Sequence, residues 1–490
     1  MRKLLFTLLL TTLLVSPLYS ARNKLVVCDA ITAPKGLNPL LQFDMKSDLL
    51  HKQLFSSLVV LGEENEMLPS LALRWKRKSP TSLQLWLRKG VKFHNGDELT
   101  AEDVVFSLKS YIASPFFPLR GFYAIIEKIE AVDKHTVLLR TKFPDGLLVR
   151  KLSILRILPQ KHYQRVGATT FAKAPVGSGP FAFSKWREDG SLTMKANENY
   201  WQQVPEIKEL SFRFMAQREQ VKALRAGTVD LLTDLAGTET KKVALAPDLA
   251  LKKELCFLNY PIAVNNQRLP FSSLQARRAL NMCINRADLL KYEARGNGRL
   301  LATFSMPGEF GHNEKLKPFP YSPKEAKAAF ADVFGDKPKK VKALINKEGL
   351  RVATFIKGAL AALGVEMEIV FDSSFEQFED NEIPPWDLRI GPCPNPFGHI
   401  SFIQSLALCS RSRYSLTKDP VFDKKFESAL GTLDLVKQEK MLKELDRYVY
   451  EQSLGLFLYQ KMKIYAHRRG LILKKYRSAM PLFGSMSWRN

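Results

Sequence analysis

The chain is poor in cysteine, with five among 490 residues (Cys28, Cys256, Cys283, Cys393, Cys409). None forms a C-x-x-C pair, which argues against both a disulfide-dense scaffold and a zinc ribbon. The seven histidines are scattered, without an H-x-x-x-H spacing or a Cys/His cluster, so neither a protein-built metal site nor a resident cofactor is expected. There is no G-x-x-x-x-G-K-[ST] loop and no G-x-G-x-x-G after a strand, which removes the usual phosphate cradles. Gly177-Ser178-Gly179 sets glycine directly beside the serine and so reads as a turn, not as the G-x-S-x-G elbow of hydrolases. Acid pairs such as Glu63-Glu64 and Glu102-Asp103 fall in a loop and in the first turn of a helix, where solvation or the helix dipole explains them. No catalytic constellation emerges, and no enzyme is expected. Repeats, low-complexity segments and long Gly/Ser linkers are also missing.

What the chain has in excess is positive charge: Lys+Arg 74 against Asp+Glu 49, a net +25. Such a balance would ordinarily suggest a polyanionic partner. The N-terminus argues otherwise. Met1-Arg2-Lys3 precedes an uncharged, leucine-rich run from Leu4 through Ser20 that ends in small residues, the pattern of a secretory signal peptide. Leu4 to Val15 is short for a hydrocarbon core of about 30 Å, so cleavage near Ser20 or Ala21 is expected, not a membrane anchor. Export makes nucleic acid an improbable partner, and the +23 that remains without Arg2 and Lys3 reads mostly as solvated surface. With 46% hydrophobic residues the chain is too apolar for disorder, and its length calls for more than one core.

Periodicity locates several elements. Ser82 to Arg88 alternates, with Leu83, Leu85 and Leu87 on one face, as a half-buried strand does. Thr100-Ala-Glu-Asp103 forms a capping-box variant ahead of an amphipathic helix, and His135 to Lys142 reads as another strand. Val341 to Ile345, a helix with Val352, Phe355, Ile356, Ala359, Leu360 and Leu363 on one face, and Val365 to Phe371 compose a βαβ unit. Gly364 is read as the glycine closing its helix. Ile390 to Ser410 carries no charged residue but holds Pro392, Pro394 and Pro396, so an extended stretch to Pro396 and a buried helix from about His399 are expected.

Motifs spread over nearly the whole chain point further. Leu87 through Ser107 reads Leu-Arg-Lys-Gly-Val-Lys-Phe-His-Asn-Gly-Asp-Glu-Leu-Thr-Ala-Glu-Asp-Val-Val-Phe-Ser. It is followed by Pro175-Val-Gly-Ser-Gly-Pro-Phe181, Ala196-Asn-Glu-Asn-Tyr-Trp201, Leu224-Arg-Ala-Gly-Thr-Val-Asp230, Val264-Asn-Asn-Gln-Arg-Leu-Pro-Phe271 and Trp386-Asp387. In this order they resemble the extracellular solute-binding proteins of family 5, which deliver oligopeptides and related ligands to ABC importers. The resemblance implies an α/β, two-lobed periplasmic-binding-protein fold (type II, cluster C) with a small inserted α+β domain. In this chain that places a signal peptide at 1–20 and lobe I at 21–45, 168–259 and 461–490. The inserted domain then falls at 46–167 and lobe II at 260–460. It also implies a monomer that closes on a peptide ligand and docks with permease subunits in the membrane. Nickel-chelate or haem binding, and a sensory role without transport, are the alternatives within the family.

The resemblance further implies that Leu388 to Pro396 lies along the ligand, with Arg389, Gly391, Cys393 and Asn395 as the candidate binding residues. A surface ion pair is the competing reading of Arg389. Peptide binders of this family carry an acidic residue in that strand for the ligand's α-ammonium group. Here no carboxylate occurs between Asp387 and Asp419, and three prolines remove N–H donors. With the basic excess, that absence favours an anionic or N-blocked peptide such as a cell-wall fragment. For Cys393 the resemblance leaves three outcomes open: a bridge to Cys256, a bridge to Cys409, or none.

Overall fold

The computed structural model describes residues 22–29, 33–42, 44–335, 339–371, 385–474 and 480–489. The expected signal segment, 1–20, lies outside them. The alternating leucines at 83, 85 and 87 are buried in the strand Ser82–Leu87. That strand joins Ala72–Ser79, Thr136–Thr141 and Ile126–Asp133 in a four-stranded antiparallel sheet. The helix Ala101–Ala113 packs on this sheet, its start fixed where the Asp103 carboxylate accepts the Thr100 N–H at 2.8 Å.

Two larger sheets carry the rest. In the nine-stranded sheet Cys393–Pro394 forms one edge, followed by Leu249–Asn259, Tyr459–Arg468, Leu231–Leu232 and Lys24–Cys28, then Glu209–Arg213, Leu192–Ala196 and Phe181–Trp186, while the ninth strand, Gly298–Leu300, pairs with the start of Tyr459–Arg468. The five-stranded sheet runs Glu366–Phe371, Lys340–Ile345, Leu388–Ile390, Ile262–Val264 and Gly455–Leu456. Its first three strands are parallel, and the βαβ unit read from the sequence is there, with the helix Leu350–Ala361 burying Val352, Ile356 and Leu360. Gly364 closes that helix as expected: at a φ of 77° it donates its N–H to the Ala361 carbonyl at 2.9 Å while the Val365 N–H reaches back to Leu360 at 3.0 Å, the paired bonds of a glycine-ended helix.

Besides the long passages 264–298, 300–340 and 394–455, three short connections cross between the two large sheets: Asn259 to Ile262, Ile390 to Cys393, and Leu456 to Tyr459. The short ones join neighbouring strands on both sides, so they lie side by side. One apolar core fills the five-stranded sheet and its helices. A second spans the early helices and the four-stranded sheet and also takes in Phe402, Phe422, Phe426, Leu442 and Leu445. The range 260–460 therefore contributes to two cores. Its late helices, Ser401–Ala407, Pro420–Gly431 and Leu435–Glu451, pack with the early part of the chain.

The strongest family motifs hold one another. The His94 ring accepts the Gly177 N–H at Nδ1, 3.2 Å, and its Nε2 faces the Gly179 carbonyl at 3.1 Å; the first contact leaves the proton on Nε2. Burial pulls its pKa down to about 4, which keeps the ring neutral and suits this pair of bonds. A Cβ on Gly177 would stand 2.0 Å from the Leu54 carbonyl oxygen, so the turn needs glycine to approach that backbone.

Candidate ligand-binding cleft

The segment expected to lie along the ligand is not one strand. Leu388–Ile390 belongs to the five-stranded sheet and Cys393–Pro394 to the edge of the nine-stranded one, where Pro394 faces Leu258 and Cys393 faces Asn259. An edge tolerates proline because the missing N–H faces away from the ladder. The Asn395 N–H then donates to the Phe257 carbonyl at 2.7 Å. Beside this run lies a cavity of about 610 Å³, within the roughly 300–1,000 Å³ of small-ligand pockets.

Three of the four sequence-predicted residues line it. Arg389 is only 8% exposed, so it is not a surface side chain; its guanidinium sits 5.2 Å from the centre of the Tyr414 ring, which also lines the cavity. Gly391 is glycine for a local reason: a Cβ would meet Asn346 Nδ2 at 2.9 Å, and Asn346 is held because its Oδ1 accepts the Gly349 N–H at 2.9 Å. Cys393 is half-buried, its thiol pushed up to about 12 by burial and then by the nearby Glu309 carboxylate. All five cysteines are free, so neither Cys256 nor Cys409 is bridged to it.

Asn395 is placed differently. It is 2% exposed, and its Nδ2 donates to Glu309 Oε1 at 2.6 Å and to the His399 carbonyl at 2.8 Å. It borders a second, smaller cavity of about 320 Å³ instead of the first. The two cavities share walls at Asp48, Pro394, Pro396 and Met480.

Sequence reasoning missed the opposite wall. Asp44, Asp48, Phe402, Ile403 and Met480 converge on the larger cavity from segments far apart in the chain. The ligand strand lacks a carboxylate, yet the cavity has two. Asp44 is exposed at the start of the helix Met45–Leu54, where its Oδ1 accepts the Ser47 N–H at 3.0 Å. Asp48 is 3% exposed and ion-paired with Arg156 at 2.7 Å. Burial alone would raise the Asp48 carboxyl, but Arg156 and Lys52 outweigh it and hold it below the usual range. The strand lacks an acid as read from the sequence, but the cavity as a whole does not, so that absence alone does not argue for an anionic ligand. Apart from these acids, Arg389, Asn346 and Tyr414, the lining is largely apolar, with Pro118, Pro261, Pro392, Leu344, Ile390 and Leu406 among its walls. Among the described residues no cluster of three or more His, Cys, Asp or Glu is arranged to hold a metal, and no helix is long and apolar enough to cross a membrane.

Residues 66–391 match the model of the bacterial extracellular solute-binding proteins, family 5, middle region. Heme-binding protein A of Haemophilus influenzae is 24% identical over 89% of this chain and 86% of its own. Oligopeptide-binding protein AppA of Bacillus subtilis is 23% identical over 94% and 91%. Among solved structures, the periplasmic binding protein DppA of Helicobacter pylori, in complex with the peptide STSA, superposes with a TM-score of 0.81 at 21% identity, covering 95% of this chain and 98% of that one. That likeness carries the two-lobed fold. By the match over 66–391, the chain belongs to the bacterial extracellular solute-binding proteins of family 5.

Proposed function

We propose that this protein is the exported, extracytoplasmic receptor of an ABC importer, freed from its signal segment, and that it captures a short peptide rich in apolar side chains. It works as a monomer, closing its lobes on the ligand and presenting the closed form to the permease. The observation that carries the reading is the Arg389 to Pro396 run, which passes from one large sheet to the other and forms a wall of the 610 Å³ cavity. In this reading Arg389 receives the ligand's carboxylate, Gly391 and Cys393 give their surface to its main chain, and Asp44, free of the strand, faces its ammonium group. Asn395 supports the wall from behind through Glu309 and His399.

Native mass spectrometry of the purified protein, followed by titration of the peptides it retains, tests the proposal. Arg389→Gln is expected to weaken such a peptide by about ten-fold or more, the scale of losing a charge-assisted hydrogen bond. Unchanged affinity would remove Arg389 from the site, and retention of non-peptide solutes alone would sink the peptide reading. A second reading, haem, is favoured by one observation, the apolar lining, which suits a macrocycle. A visible absorbance band in the purified protein would decide for it.

A further inference from the structure

We propose that the smaller cavity is an acidic-side-chain subsite: with a peptide's apolar body in the larger cavity, Lys52 and Arg156 receive a carboxylate carried on one of its side chains. This rests on the peptide reading above and specifies which peptides are taken.

The two cavities differ in chemistry although they share a wall. The smaller one is lined by Ser56, Ser57, Ser70 and Ser153 as well as Lys52 and Arg156. Arg156 is 4% exposed; one of its terminal nitrogens holds Asp48 at 2.7 Å, while its buried Nε has no hydrogen-bond partner. Lys52 and Arg156 thus line this cavity beside one buried carboxylate, that of Asp48; the second acid, Asp44, is exposed and lines the larger cavity only, where it is assigned to the ligand's ammonium group. The other charges nearby add no net charge. Glu63 and Lys474 are both exposed at this cavity and offset each other, and Lys463 lies 4.0 Å from Asp29. His51, fully buried in the turn between Asp48 and Phe55, is held neutral by burial, its pKa near 4. Burial likewise pulls Lys52 down to about 8 despite the attraction of Asp48. A cation in poorly solvated surroundings interacts strongly with an incoming anion, because water no longer screens it. Of the four serines, Ser56, Ser57 and Ser153 already donate to the carbonyls of Ser178, Val59 and Arg150, which leaves the Ser70 hydroxyl to hydrogen-bond the carboxylate beside the two cations. The contiguity at Asp48, Pro394, Pro396 and Met480 lets one ligand reach both spaces.

Calorimetric titration with tripeptides on a Leu/Phe background tests this, each peptide made as a Glu and a Gln version at each position. The wild-type protein is expected to bind the Glu version of the best pair about ten-fold tighter. Lys52→Gln should bind both versions equally, whereas Arg389→Gln should weaken both and keep the preference. Equal binding of every pair by wild type, or a preference that survives in Lys52→Gln, overturns the subsite. Binding of no peptide overturns the peptide reading instead. The subsite is then judged by thermal melting with suberate against octanoate, which have the same chain length and differ by one carboxylate. Suberate should raise the melting temperature of wild type more than octanoate does and lose that advantage in Lys52→Gln; no advantage in wild type refutes the subsite. Circular dichroism establishes that each variant is folded.

Discussion

Replacing Arg156 by leucine isolates the buried ion pair at the seam of the two cavities. The side chains of Arg156 and Asp48 are 4% and 5% exposed and meet at 2.7 Å, so removing the guanidinium strands a carboxylate out of water. Breaking such a pair from one side costs about 3–5 kcal/mol. Lys52 remains as a weaker partner for Asp48, which favours the lower end of that range. The loss also has a pH signature. In the wild-type protein the Asp48 pKa is below its ordinary value of 3.8, so its contribution to stability is complete above that value and disappears as the pH falls through the lowered folded-state pKa. In Arg156→Leu, burial dominates and the folded-state pKa rises. The variant then takes up a proton at a higher pH than wild type does and regains part of its deficit relative to wild type as the pH falls. Urea midpoints of both proteins at pH 7, 6 and 5 measure this directly. A deficit below about 1 kcal/mol at pH 7, or one that stays constant down to pH 5, would refute the view that Arg156 neutralises a desolvated charge.

His51 offers a cleaner titration, because burial lowers its pKa from 6.5 to about 4 and the unfolded chain therefore binds its proton first. Stability should fall as the pH drops from 7.5 to 5. His51→Leu should lose about 2 kcal/mol less over that interval than wild type does, and parallel curves in denaturant would contradict this. Gly391→Ala should push Asn346 off the Gly349 N–H and cost about 1–2 kcal/mol, read as a lowered urea midpoint together with weakened ligand binding. An unchanged midpoint would show that Asn346 yields freely.

Local pattern and tertiary convergence were not equally legible. The strand at Ser82–Leu87, the cap at Thr100 and the parallel unit around Leu350–Ala361 follow from side-chain period and hydrogen-bond geometry, which act over a few residues. Arg389, Gly391 and Cys393 lie on the cavity wall because a motif near Trp386-Asp387 fixed where that wall should be. Asn395 turns to the smaller cavity instead because the alternation that would aim it at the larger one breaks where the run changes sheets. Asp44, Asp48 and Met480 carried no signal at all. Their place at the cavity depends on how a helix near the N-terminus and a loop near the C-terminus meet, which no local period encodes. The missing carboxylate in the ligand strand was read correctly as an absence, but charge at a site is a sum over every element that reaches it.

The three short crossings between the large sheets form a row, because each joins strands that are neighbours on both sides. With strands spaced about 4.8 Å apart, that row is roughly 10 Å wide and one chain thick. Such a strip bends easily across its face but resists twisting and sliding within its own plane. The strip itself thus favours rotation about one axis, an axle instead of a ball joint. A ligand that closes the lobes suppresses that swing, so little of its binding energy is lost to ordering the protein. A substitution at Pro261 or Pro392, inside the strip, would alter the ease of that swing for every ligand alike.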